Sequence, residues 1–130
     1  MRFTLHSNPR EVVQLQQQLM DLCMDSGFDE LSAFQFTSAV IEAVNNCIKH
    51  AYAGEDGYPI TLEWCHHQDF VTIELRDEGK PLPLRLLESP VLSDTDAESG
   101  RGWHIIHEWS DHVGYTRQGK ENILTLTRRL

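Results

Sequence analysis

Two consecutive runs, "YPITLEWCHH" at 58–67 and "FVTIELRDEG" at 70–79, alternate apolar with polar residues on either side of the short turn "HQD". Alternation of period two, rich in β-branched and aromatic residues, is a strand signal, and a connection this short joins only antiparallel neighbours. This hairpin constrains the fold more than any other feature, because helical segments flank it instead of alternating singly with its strands. Upstream, "RFTLHS" reads as a short strand. "NPREVVQLQQQLMDLCMDSGF" reads as a helix, with Pro9 in its first turn and Gly27 at its C-terminal cap. On it Val12, Leu15, Leu19 and Leu22 recur at three- and four-residue steps, while Val13, Met20 and Cys23 widen the apolar stripe. A second helix, capped by Ser32 or Asp29, is expected to run to about Tyr52 with Phe36, Val40, Val44, Cys47 and Ile48 on its apolar faces.

Downstream of the hairpin, three prolines and a Ser/Asp-rich end make residues 80–99 a long loop. "GRGWHIIHEWSDHVGY" restores helical spacing through Trp103, Ile106 and Trp109, and "DHVGYTRQ" and "NILTLTRRL" form a closing hairpin. The order is strand, two helices, hairpin, loop, helix, hairpin. Without repeated strand-helix-strand units a doubly wound parallel sheet is disfavoured, and an α+β two-layer sandwich is predicted, its mostly antiparallel sheet covered on one face by helices. A chain of 130 residues, 40% apolar, fits one domain spanning 1–130.

Charge and cysteine usage narrow the partners. A net charge of -9 argues against direct nucleic-acid or anionic-membrane binding, so any phosphate site must be local. No apolar run approaches the roughly 18–20 residues of a membrane span, and the polar start "MRFTLHSNPREV" lacks a signal-peptide core. A cytoplasmic protein is expected. Cys23, Cys47 and Cys65 are isolated and odd in number, which suits reduced thiols, and "CHH" at 65–67 reads as a strand end because adjacent ligands converge poorly on a metal.

Three separated motifs carry chemistry, each with an ordinary alternative. In "EAVNNCIKHAY", residues 42–52, Glu42 and Asn46 stand four apart on one helix face, with Asn45 at the flank and Lys49 and His50 beyond. A solvated helix face explains any one of them, yet Glu42 falls in the helix's most apolar portion, where a carboxylate needs pairing, water or a function. Mg²⁺ fits such a face, since it keeps several waters and takes one or two protein ligands. In "RDEGK" a strand ends on Asp77 and Gly79. That is also a common turn signal, but a strand-end carboxylate can accept a hydrogen bond from an exocyclic amine such as that of adenine, and the glycine lets a flat base approach. In "ESGRGWHII", Gly100 and Gly102 are expected to precede a helix whose N-terminus could bind phosphate, Arg101 adding charge; a hinge is the alternative.

Together, Glu42 and Asn46, Asp77 and Gly79, and Gly100 and Gly102 resemble, in order and spacing, the N box and two glycine boxes of GHKL-type (Bergerat fold) ATPases. The "EAVxNxxxHAY" form, the small size and the ending "NILTLTRRL" are most similar to bacterial anti-sigma factor serine kinases of the RsbW and SpoIIAB type. The resemblance spans nearly the whole chain and implies ATP and Mg²⁺ as cofactors. By it, Asn46 coordinates Mg²⁺, Asp77 binds the adenine amine, Gly79 gives the base room, Gly100 and Gly102 contact phosphates, and Glu42 is the catalytic carboxylate. Asn122 falls where relatives often place Asn or Thr near the nucleotide, and the long loop is the expected lid. The chain departs from the family after Gly79, where "KPLPLRLL" replaces a segment that often runs toward Phe-Asp-Pro.

The function implied is a switch kinase that phosphorylates a small anti-sigma factor antagonist and binds a sigma factor or another regulatory protein. The alternative is a nucleotide-dependent binding module with negligible kinase activity. An ATPase or histidine-kinase catalytic fragment ranks third, because the chain starts at Met1 with no phosphoacceptor helix ahead of it. The wide first-helix stripe reads first as a core face, with a dimer or partner surface as the alternative, and a homodimer is the form that the resemblance adds to that alternative.

Overall fold

The computed structural model describes residues 1–87 and 97–130. Strand β1 (Arg2–His6) is followed by helices α1 (Pro9–Ser26) and α2 (Glu30–Asn46), then by the hairpin of β2 (Pro59–His66) and β3 (Phe70–Asp77). A short 3-10 turn (Leu84–Leu87), helix α3 (Ala97–Glu108) and the hairpin of β4 (His112–Gln118) and β5 (Glu121–Arg129) complete the chain. The five strands form one sheet in the order β1-β2-β3-β5-β4, and every pairing is antiparallel. The expected α+β two-layer architecture is observed. Of the long loop expected at 80–99, residues 88–96 lie outside the described residues, 84–87 form the 3-10 turn, and 97–99 already belong to α3.

Local signals act as their chemistry dictates. The Asn8 side chain caps α1 by accepting from Arg10 N at 2.9 Å, and Gly27 ends it in the left-handed region at φ 108°, where a Cβ would be strained. Asp29, not Ser32, caps α2, its carboxylate accepting from Ser32 N at 2.7 Å. On α1 the buried stripe is Val12, Leu15, Leu19 and Cys23; Leu22 is half-buried and Val13 is exposed. Cys23 takes the place expected of Leu22 because the Cys23 sulfur packs on the Thr37 hydroxyl of α2.

The core lies between the helices and one face of the sheet. Along β3, Val71, Ile73, Leu75 and Asp77 are buried while Phe70, Thr72, Glu74 and Arg76 are half-buried. Phe36 of α2, fully buried, packs on Phe28 and on Trp64 of β2 at ring separations of 5.9 and 6.1 Å. Truncating such a residue to alanine typically costs about 3–5 kcal/mol. This packing fixes α2 across β2 and β3, and so decides where the C-terminal ends of helix and strand meet.

The last turn of the second helix departs from the expected form. Residues Cys47–Ala51 form a π-helical turn, Tyr52 N bonding Cys47 O at 3.1 Å and Gly54 N bonding Ile48 O at 2.8 Å. The widened turn leaves the Ala51 carbonyl to accept from Lys80 N at 2.9 Å. Wide turns of this kind recur at functional sites.

Candidate active site

The end of α2 and the end of β3 frame a cavity of about 230 Å³. Asn46, Asp77 and Asn122 line it as polar groups, and Leu75, Trp103 and Leu124 are among its apolar walls. Lys80 and Arg85 bring positive charge to its lining.

Asp77 is buried because it is the last residue of the alternating inward set on β3, and the register places it opposite Asn122 of β5. Asp77 Oδ1 accepts from Asn122 Nδ2 at 2.7 Å and from Gly79 N at 2.9 Å. Cys47 lies against the same carboxylate. Burial pushes the Cys47 thiol well above the ordinary thiol range, and the charge and hydrogen bonding of Asp77 push it the same way. Tyr52 braces this corner: its hydroxyl donates to Pro59 O at 2.7 Å and accepts from Glu78 N at 2.8 Å.

Gly79 is required by packing. A Cβ there would overlap the backbone carbonyl of Ala51, so the chain can cross the π turn only without a side chain. The room expected for a base is thus also room for the helix end.

Asn46 is buried, and its Nδ2 has no hydrogen-bond partner among the described residues. The indole Nε1 of Trp103, also buried, has no partner among the described residues either. Unpaired buried polar atoms are costly, and native structures tolerate them chiefly where a ligand or water completes them. Gly102 closes the arrangement. A Cβ on it would stand 2.9 Å from Glu42 Oε2 and 3.2 Å from Asn46 Nδ2, so the backbone of α3 rests directly on both side chains. Glu42 itself is half-buried beside that contact.

The glycine pair does not sit where expected. Gly100, Arg101 and Gly102 lie inside α3, which begins at Ala97, and not at a junction ahead of it. Ala97 and Glu98 favour helix enough to start it early, and the buried Trp103 and Ile106 hold it against the core. Only the first four N–H groups of a helix lack an internal partner, so Gly100 falls within that turn and Gly102 beyond it. Arg101 is exposed. Gly102 therefore contributes close approach instead of a free amide.

The arrangement thus brings Glu42, Asn46, Asp77, Gly79, Gly102 and Asn122 to one region from four separate stretches of chain. Sequence reasoning missed Tyr115, whose hydroxyl contacts Asn122, and Arg117, which bonds Asn122 Oδ1 at 2.8 Å. The alternation of "DHVGYTRQ" puts Tyr115 and Arg117 on one strand face, a signal that could have found them. Cys47 and Trp103 read only as apolar residues of their helices. Among the described residues no group of three or more His, Cys, Asp or Glu could hold a metal, and no helix is long and apolar enough to cross a membrane.

Residues 5–128 match the family model described as "Histidine kinase-like ATPase domain". The chain belongs to that family. Within it, this ATPase domain is 28% identical over 129 residues to a serine-protein kinase RsbW of Listeria monocytogenes, covering 93% of this chain and 82% of the relative. The serine-protein kinase RsbW of Listeria innocua is 27% identical over the same span. Among solved structures, the RsbU and RsbW domains of a Mycobacterium tuberculosis protein superpose with a TM-score of 0.67 at 18% identity, covering 100% of this chain and 32% of that one. The Acinetobacter baumannii histidine kinase AdeS gives a TM-score of 0.55 at 15% identity, covering 98% of this chain and 67% of that one. Both structures share the histidine-kinase-like ATPase fold with this domain.

Proposed function

We propose that this ATPase domain is a serine/threonine switch kinase that uses ATP to phosphorylate a small anti-sigma factor antagonist, and that also binds and inhibits a sigma factor or another regulatory partner. The observation that carries the reading is the convergence of Asn46 and Asp77 on one cavity, with Gly102 packed on Asn46 and Glu42. The names of the RsbW relatives support serine as the acceptor.

The cavity is smaller than the roughly 300–1,000 Å³ of drug-sized pockets, which suits a base held inside with its charged tail outside. Asp77, an acceptor-only group when ionised, takes the exocyclic amine of adenine, while Leu75, Leu124 and Trp103 cover the ring faces. Lys80 and Arg85 favour the polyphosphate electrostatically, as do the first-turn amides of α3 around Gly100. Asn46 fits a Mg²⁺ ligand: its buried amide nitrogen has no partner among the described residues, its oxygen is the donor type Mg²⁺ prefers, and one side chain suffices when phosphate oxygens and water supply the rest. When bound, the ion neutralises charge on the phosphate oxygens.

Glu42, beside Gly102, orients the acceptor hydroxyl and takes its proton as the bond from serine oxygen to the γ-phosphorus forms and the bond to the ADP oxygen breaks. The deciding experiment is transfer of γ-labelled phosphate from MgATP to candidate antagonist domains, with Glu42→Gln and Asn46→Ala alongside. Label on a serine or threonine, lost in both variants, is expected. Nucleotide binding without transfer to any antagonist would favour the binding-module alternative, and no nucleotide binding would end both readings.

A further inference from the structure

The backbone just beyond Gly79, where "KPLPLRLL" leaves the family pattern, is tied to the sheet by one phenol. Tyr115 of β4 lines the cavity, and its hydroxyl accepts from Leu82 N at 3.1 Å while donating to Asn122 Oδ1 at 2.5 Å. A phenol has a single O–H, so the donor role is committed to Asn122. Arg117 adds a second donor to the same oxygen at 2.8 Å. With Oδ1 held as an acceptor by two donors, the Asn122 amide has one orientation, and its Nδ2 faces Asp77 Oδ1, Gly79 O and Lys80 O at 2.7, 3.1 and 3.0 Å. A chain of hydrogen bonds therefore runs from Leu82 through Tyr115 and Asn122 to the carboxylate.

We propose that Tyr115 is a positioning residue for base selection, coupling the seating of the Lys80–Leu82 backbone over the cavity to the orientation of the Asp77 carboxylate. This rests on the adenine-nucleotide reading above. A fixed carboxylate accepts from a 6-amino purine but meets the oxygen of a 6-oxo purine lone pair to lone pair. A carboxylate free to pivot can instead accept the ring N1–H that a 6-oxo purine carries. Orientation, not charge, then sets the preference, and sites built to pair a particular polar group discriminate steeply against its absence. The same phenol holds the Lys80–Leu82 backbone that lines the cavity, so its loss should alter residence time as well as choice.

The test is Tyr115→Phe, which keeps the ring and removes only the hydroxyl, measured by calorimetry with MgATP and with the magnesium complex of inosine triphosphate. The wild type should prefer ATP. In the variant ATP should bind about fivefold or more weakly, the equivalent of roughly one net hydrogen bond, while inosine triphosphate binds as well as before or better. Asn122→Ser, which removes the amide between Tyr115 and Asp77, should narrow the ratio in the same way. Release of a fluorescent ATP analogue should be faster in both. A purely structural role would lower the melting temperature yet leave the ratio of the two affinities unchanged, and that outcome in both variants overturns the inference alone. A folded wild type that binds neither nucleotide overturns the nucleotide reading on which it rests.

Discussion

Asn122 and Asp77 are directly opposed in the pairing of β5 with β3, and the amide nitrogen of one donates to the carboxylate of the other across 2.7 Å. Every donor and acceptor that Asn122 offers is committed to the protein: Asp77 and two backbone carbonyls on one side, Tyr115 and Arg117 on the other. Asn122 was expected near the nucleotide. It lines the cavity proposed for the base, and its hydrogen bonds hold the carboxylate that would read that base.

Asp77→Asn keeps the shape of the side chain but presents an N–H where the buried site needs only acceptors. ATP affinity measured by calorimetry should fall at least about tenfold, equivalent to about 1.4 kcal/mol, within the range for a spoiled buried hydrogen bond. An unchanged affinity would remove Asp77 from base recognition.

Glu42→Gln should separate chemistry from binding. Loss of a positioned general base typically costs about 10²–10⁴ in rate, so phosphotransfer should drop by that order while ATP affinity stays within about twofold. A variant that still transferred label at the wild-type rate would rule out Glu42 as the base.

The two close-packed glycines should respond with opposite signs. Gly102→Ala adds helix propensity worth about 0.8–1.0 kcal/mol but presses a methyl against Glu42 and Asn46, whose side chains can shift. Its melting temperature should hold or rise while phosphotransfer falls about tenfold or more, by the sensitivity of reacting groups to small misplacements. Gly79→Ala meets a backbone carbonyl that cannot yield, so it should lower the melting temperature by about 4 °C or more. Equal thermal behaviour of the two variants would contradict the packing described.

The thiols and Tyr52 predict an alkaline limit. Burial pushes Cys23 from 9.0 up to about 11, and pushes Tyr52 from 10.0 to about 12; Cys47 is raised as well. The folded chain thus holds these protons more tightly than the unfolded one. Their contribution to stability is complete below pH 9 and declines as pH climbs through the raised values, so chemical-denaturation midpoints should fall between pH 9 and 12. At pH 8 a thiol reagent should modify Cys65, which is exposed, well before the buried Cys23 and Cys47. Rapid modification of all three would show the burial to be wrong.

What could be read in the chain is what depends on local periodicity. The four-residue step from Glu42 to Asn46 puts both on one helix face, and strand alternation carries Asp77 to the inward side of β3, each without knowledge of the tertiary fold. The pairing of Asp77 with Asn122 depends on β3 and β5 being neighbours, an order that the closing hairpin alone leaves open. The closing hairpin brings Tyr115 near Asn122, but the bond of Tyr115 to Leu82, 33 residues away in the loop after Gly79, depends on the tertiary fold. The early start of α3 escaped because two glycines look like a boundary when propensity is weighed alone, whereas the packing of Trp103 and Ile106 carries the helix through them.

The π turn at Cys47–Ala51 makes the segment after Gly79 and the helix bearing Glu42 and Asn46 one mechanical part, because Ala51 O is bonded to Lys80 N. Removing a single residue from that turn would close it to α-helical form and displace the Ala51 carbonyl from Lys80 N, severing the link. The spacing between the helix bearing Glu42 and Asn46 and the strand ending at Asp77 is therefore under a constraint of length as well as of side-chain identity. The hairpin turns at residues 67–69 and 119–120 lie outside that link, and an insertion here does not.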